Sequence, residues 1–324
     1  MVTRLSSQPE NLNTVIEELR SRGINFEVTR GIRSVVATRS RNDATLRRTL
    51  DEAERRRLNP TNSTVPPAAE SAALLEEART ATLAAAEGLP DFLVKQLVTR
   101  SYARGTSKSW ITSDRLTVLV SYREGLGERY KLMFKNDQAV VEEAERSSYA
   151  QTEGTTSTGE FASRLTALFA PETQAEFKAV DTDILRDART IVYEYAVKQS
   201  NSKHRISAAA PGGVTEAEAV IVGYQGKVWI DRETRRVLRL ESTAVDIPAS
   251  FPVSAAVSRI DYDWATINNK RYLMPLRAEL ELTAGREANI IQTRNDIRFR
   301  NYRKFGSALE IIIDDDDEEP PPNN

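Results

Sequence analysis

From Arg271 to Leu282 every even position is apolar (Tyr272, Met274, Leu276, Ala278, Leu280 and Leu282), while Arg271, Arg277, Glu279 and Glu281 fall at odd positions between them. Successive side chains of an extended strand point to opposite faces, so this pattern makes a strand with one dry and one wet side. The period of two recurs in Asp91–Tyr102 (Phe92, Val94, Val98, Tyr102), Arg115–Tyr122 (Leu116, Val118, Val120, Tyr122) and Glu128–Lys135 (Tyr130, Leu132, Phe134). Ile191, Tyr193, Tyr195 and Val197 repeat it, and Ile291, Ile297 and Phe299 close the series. Alternation of this length belongs to an antiparallel sheet with a solvated side. A doubly wound parallel sheet would show short, wholly apolar strands separated by helices, and none are present.

The segment Val220–Val245 adds short β-type runs with turn chemistry at Gly223–Gly226 and Asp231–Arg235, the pattern of consecutive hairpins. Helical spacing appears elsewhere. Leu12, Val15, Ile16 and Leu19 follow a capping box at Ser7–Glu10 and precede a stop at Gly23. Ile32, Val35 and Val36 mark a second short helix, and Leu46, Leu50 and Ala53, capped by Asn42 or Asp43, a third. These divide the chain into a small helical module (1–57), a Pro-rich linker (58–67), a main β domain (68–313) and an acidic tail (314–324). Within the main domain, helices are expected near 68–87 and 158–170, the second opening on the capping box Ser157–Glu160 after a Ser/Thr/Gly-rich loop at Ser147–Thr156.

Composition removes whole classes of chemistry. The chain has no cysteine, which excludes disulfides, thiolate nucleophiles and Cys-ligated metals. A net charge of −2 argues against bulk nucleic-acid binding, and the Arg-rich first 60 residues read as a solvated helical surface. No apolar run reaches the roughly 18 residues of a membrane span, and Met1–Glu10 lacks the apolar segment of a leader. The single histidine, His204, stands between Lys203 and Arg205 and reads as an exposed strand-end residue rather than a catalytic base. Asp261/Asp263 and Asp181/Asp183 are spaced to share a strand face, but neither pair has a third metal ligand nearby, so each reads as an outward face or a turn. The acidic run Asp314–Asp317 lacks the spacing of a calcium loop, and Pro211–Gly213 is a turn rather than a phosphate cradle.

The hairpin series carries a resemblance. Gly226–Glu241 (GKVWIDRETRRVLRLE) followed by Tyr272–Arg277 (YLMPLR) resembles the strand–Asp–turn–strand meander of the lipoprotein-localisation carrier (LolA-like) superfamily. The steps at Leu89–Phe92 (LPDF) and Ser157–Phe161 (STGEF) resemble a group of exported bacterial proteins with that fold, and Arg22–Thr29 is similar to a helical module found beside such domains. The chain lacks the Cys that often follows the Leu-Pro-Asp-Phe step. The resemblance implies an α+β fold: a strongly curved antiparallel half-barrel with covering helices, beside the small three-helix module. It implies non-enzymatic binding of a hydrophobic ligand, a lipid or the acyl chains of a lipidated protein, in the periplasm or cell envelope, with no cofactor. The residues expected to line the ligand space are Phe92, Leu116, Val118, Leu132, Phe134, Tyr193, Tyr195, Trp229, Leu276 and Leu280. Two alternatives stand beside this reading: the same ten residues form a filled core in a protein-interaction or structural module, and the absent leader marks a cytoplasmic protein.

Overall fold

A computed structural model describes residues 12–58, 65–140, 161, 163–186, 188–208, 218–285 and 289–306. Three helices come first: α1 (Leu12–Arg22), α2 (Arg30–Arg39) and α3 (Ala44–Leu58). Their ends follow from local chemistry. Thr29 caps α2 by accepting from the Ile32 N–H at 3.3 Å, and Asp43 accepts from the Leu46 N–H at 2.8 Å to start α3. Gly23 closes α1 at φ +67°, its N–H donating to Leu19 O at 3.0 Å. Val15, Ile16, Leu19, Val36, Leu46 and Leu50 bury their side chains together as the centre of this unit. The capping box expected at Ser7–Glu10 and the loop at Ser147–Thr156 lie outside the described residues, as do the turn at Pro211–Gly213 and the acidic tail.

After α4 (Ala68–Glu87) the chain enters an open, curved antiparallel sheet of eleven strands. In spatial order these are β4 (Gln138–Ala139), β3 (Gly127–Lys135), β2 (Ile111–Arg123), β1 (Phe92–Arg104), β13 (Ile291–Lys304), β12 (Lys270–Ala284), β11 (Val253–Ile267), β10 (Val237–Val245), β9 (Gly223–Asp231), β6 (Ala188–Val197) and β5 (Glu176–Leu185). Between β6 and β9 the chain leaves the sheet to form a separate hairpin, β7 (Arg205–Ala208) with β8 (Glu218–Ile221). The short helix α5 (Ser163–Phe169) joins the two halves of the sheet in sequence. The α+β class with an antiparallel sheet, expected from the alternation, is the fold observed.

One face of the sheet is covered by α4 and α5. Leu74 and Ala78 of α4, and Leu165, Leu168 and Phe169 of α5, pack on Phe92, Val94, Leu116, Val118, Tyr193 and Val228 in the main core. Phe161 anchors the entry to α5 among three aromatic rings, 5.3 Å from Phe92, 5.2 Å from Phe299 and 6.4 Å from Tyr302 between centroids. The helix α4 is held lengthwise. Tyr193 donates its phenol to Ser71 O at 2.7 Å, and the β9–β10 turn adds Arg235 to Glu77 at 2.5 Å and Arg236 to Ala81 O. That turn sits where the sequence places it, with Asp231 accepting from the Glu233 and Thr234 N–H groups at 3.1 and 3.4 Å and Arg235 left-handed at φ +60°.

The turn expected at Gly223–Gly226 is absent, because β9 runs straight through both glycines. Their role is close approach. A Cβ on Gly226 would lie 1.9 Å from Glu241 O of the paired strand, and one on Gly223 would lie 2.9 Å from the Asp246 carboxylate. The expected effect of Gly226→Ala is therefore a loss of about 2 kcal/mol, from forcing β9 and β10 apart. Urea unfolding of the variant measures it, and an unchanged midpoint would show that the strands separate without cost.

The opposite face of the sheet carries the helical module, joined to it by buried ions. Arg239 donates to Asp261 at 2.6 Å and to Glu52 of α3 at 3.2 Å, with all three side chains less than 8 % exposed. Arg20 of α1 meets Glu241 at 3.1 Å, and Arg56 of α3 meets Asp181 at 3.2 Å. Burial alone would raise the Glu241 carboxyl, but Arg259, Arg20 and Arg239 outweigh it and hold the group down at about 2. The carboxylate pairs read from sequence as outward faces or turns thus have other work. Asp181 pairs with Arg56, Asp183 accepts the Trp229 indole N–H at 3.1 Å, and Asp261 pairs with Arg239. Asp263 alone stays half exposed, 3.5 Å from Arg186.

Candidate functional site

Six of the ten residues expected to line a ligand space are gathered by the sheet onto its helix-covered face: Phe92, Leu116, Val118, Leu132, Tyr193 and Tyr195. They lie in the packed core beneath α4 and α5. Phe134 departs from the pattern because β3 bulges. Val118 pairs with Leu132 while Thr117 pairs with Phe134, so Met133 is the extra residue and Phe134 shares the face of Thr117 instead of Val118. Leu276 is displaced in the same way: Tyr262 pairs with Pro275 and Asp261 with Arg277, leaving Leu276 unpaired in the bulge and outside every described apolar cluster. The bulge also explains how Pro275, which cannot donate a hydrogen bond, sits in an interior strand.

Trp229 lies on the other face. It is 1 % exposed and packs with Leu185, Val192 and Leu238. The guanidinium groups of Arg20 and Arg239 stand 5.6 and 5.4 Å from its ring centroid. Trp229 is thus the floor of the module's docking site. As a residue lining the same space as Tyr193 and Tyr195 it is corrected by the geometry.

An open cleft of about 550 Å³ remains where the sheet's helix cover is incomplete. One wall is α5, offering Arg164, Ala167 and Leu168. The facing wall is the excursion out of the sheet, with Lys203, His204, Arg205 and Ile206 at the start of β7. The floor comes from Tyr195, Tyr224, Leu240, Ala256 and Leu280 of the sheet, so Leu280 and Tyr195 join the site from the expected set. The cleft therefore falls between the main core and a smaller apolar cluster around Ile206, Val222, Phe251 and Val253. An aromatic row runs toward it: Phe169 stacks on Phe177 at 5.6 Å, Phe177 meets Tyr195 at 6.1 Å, Tyr195 meets Tyr224 at 6.1 Å, and Tyr224 meets His204 at 5.5 Å.

His204 is half-buried against Tyr224 rather than exposed as its neighbours suggest. Burial first, and then the positive charge of Arg164, push its pKa down to about 4, so the imidazole is neutral at pH 7. Burial likewise raises the phenol of Tyr224, to about 12, and that of Tyr195 further still. The Tyr195 hydroxyl donates to Glu241 O at 2.8 Å and is committed to the sheet. Among the described residues no carboxylate orients His204, so the cleft does not assemble the base and orienter of a triad.

The alternation that marks the inner face is blind to Arg164, Lys203, Arg205 and Tyr224. The Lys203–Arg205 triplet of adjacent basic side chains was the visible signal for one wall, but nothing in the sequence shows that it faces α5. No helix among the described residues is long and apolar enough to cross a membrane.

No family model matches the sequence, and no curated protein does. Among solved structures, the fold is similar to a LolA superfamily protein from Nitrosomonas europaea, at 11 % identity over 73 % of this chain and 97 % of that one, with a TM-score of 0.33. It is similar to a DUF1329 family protein from Desulfovibrio piger at 9 % identity over 71 % and 94 % of the two chains, TM-score 0.29. A complex of MucA and MucB from Pseudomonas aeruginosa matches at 9 % identity over 68 % and 93 %, TM-score 0.20. These likenesses concern the fold alone and assign no ligand to this chain.

Proposed function

We propose that the protein is a non-enzymatic binder of a hydrophobic or amphipathic small molecule, held in the cleft between α5 and the β7 strand. The observation that carries this is the cleft itself: about 550 Å³, floored by Tyr224, Leu240, Ala256 and Leu280. Small-molecule sites run from about 300 to 1,000 Å³ and are mostly apolar, with a few polar groups fixing orientation. α4 and α5 pack much of the remaining inner face, so the chain holds its ligand in a strip that crosses β6, β9, β10, β11 and β12. A lipid or the acyl chain of a lipidated partner is the ligand class in keeping with the sequence resemblance, which also favours a carrier or sensor role in the cell envelope.

Ala167 on α5 gives a direct test, because it lines the cleft with a small side chain. Ala167→Trp is expected to fill the cleft and lower affinity for a fluorescent fatty-acid probe by tenfold or more, with the circular dichroism spectrum unchanged. Full probe affinity in that variant, or none in the unmodified chain, would defeat the proposal.

A further inference from the structure

The cleft is apolar below and cationic above. Arg164 projects from α5, while Lys203 and Arg205 stand exposed on the opposite wall. None of the three is paired with a carboxylate among the described residues, in a protein where buried and surface arginines otherwise meet acids repeatedly. Among the described residues the single acid at the rim is Glu128, which accepts from the Tyr130 phenol and from Ser163 Oγ at 3.4 Å. His204 adds no positive charge at pH 7, so the excess rests on the three long side chains. Arg164 is the inner member of the set, half-buried where Lys203 and Arg205 are exposed. Cations left without partners at the mouth of a partly desolvated pocket attract an anion strongly, because screening by water is reduced there.

We propose that the cleft selects an amphiphile with an acidic head, its carboxylate or phosphate held by Arg164, Lys203 and Arg205 while its apolar chain lies over Tyr224, Leu240 and Leu280. This rests on the ligand-binding reading above and specifies the head group. Guanidinium groups suit the task, since their planar donors engage carboxylate and phosphate oxygens in pairs. A fatty acid and a lysophospholipid supply the same chemistry from different sources, and matched pairs separate them.

Displacement of a fluorescent probe from the 324-residue chain should be compared for oleate against oleyl alcohol, and for lysophosphatidylglycerol against lysophosphatidylcholine. The expected result is at least tenfold tighter binding of the acid in one or both pairs, with an advantage that shrinks as salt is raised. Reversal of charge in Lys203→Glu with Arg205→Glu, on exposed side chains, should bring the acid-to-neutral ratio toward one. The exposed Lys198→Glu, outside the cleft, should leave that ratio as it is. Equal binding of acid and neutral partners would overturn the head-group assignment and leave the cleft reading standing. Failure of all four compounds to displace the probe would overturn both.

Discussion

Arg239→Ala is expected to destabilise the protein by about 3–5 kcal/mol, the usual cost of leaving buried charges without their partner. The substitution strands the Asp261 carboxylate, 2.6 Å from the guanidinium, and takes from the Glu52 carboxyl its partner at 3.2 Å, each side chain less than 8 % exposed. It also removes one of the two cations over the Trp229 ring. Because Glu52 belongs to α3 and Asp261 to β11, the damage falls on the seam between the helical module and the sheet. Urea unfolding should show the lowered midpoint, and hydrogen exchange should rise first in α1–α3. A loss below 1 kcal/mol would mean that water reaches these carboxylates and the seam is not dry. Replacing Arg239, Glu52 and Asp261 together by apolar residues of similar size should recover much of the loss, since a matched apolar set has no desolvation cost to repay.

The same seam should make stability depend on pH in a direction opposite to that of most paired carboxylates. Burial, followed by the charge of Asp183, raises the pKa of Glu52 from 4.5 to about 7, against the opposing pull of Arg239 and Arg20. A group whose folded pKa lies above its unfolded one binds its proton more tightly in the native state. Its contribution is therefore complete below about 4.5, declines as pH rises, and is lost above about 7. Glu52→Gln keeps the side chain neutral at every pH and preserves an amide N–H to face Asp183. The variant and the unmodified chain should be alike near pH 4.5, and the variant should be more stable by about 3 kcal/mol at pH 8. Thermal unfolding of both chains from pH 4.5 to 8 reads the difference. A gap that is flat across this range, or that widens toward acid, would contradict the assignment of a retained proton to Glu52.

The strands were legible because burial on one face imposes a period of two on the residues themselves. Phe92, Leu116, Val118, Tyr193 and Tyr195 reach the inner face as that period requires. What could not be seen is any property that belongs to two strands together. The bulges at Met133 and Leu276 exist only in register with β2 and β11, and each turns a single-strand pattern out of phase. Gly226 carries no mark that separates a turn glycine from one pressed against Glu241 O. Trp229 belongs to a strand apolar on both sides, Val228 and Ile230 facing the core and Trp229 the module, so alternation gives no preferred face. The cleft was least visible of all, being assembled from α5, β7 and the sheet floor, three stretches that meet only through the long excursion between β6 and β9.

The strand order has a consequence for how the chain reaches this state. Consecutive strands β4 and β5 sit at opposite edges of the sheet, while β1 and β13, near the two ends of the domain, pair along its middle, Phe92 with Lys304 and Arg104 with Ile291. Spatial order is therefore sequence order cut and rejoined, with two blocks, β1–β4 and β5–β13, each assembled from near-neighbour pairings. Bringing β1 to β13 closes a loop of roughly 200 residues at an entropic cost of about 5 kcal/mol, far more than any hairpin within a block. The expected order is therefore that the two blocks form first and the β1–β13 junction zips last, so that substitutions in this junction slow folding more than substitutions within a block.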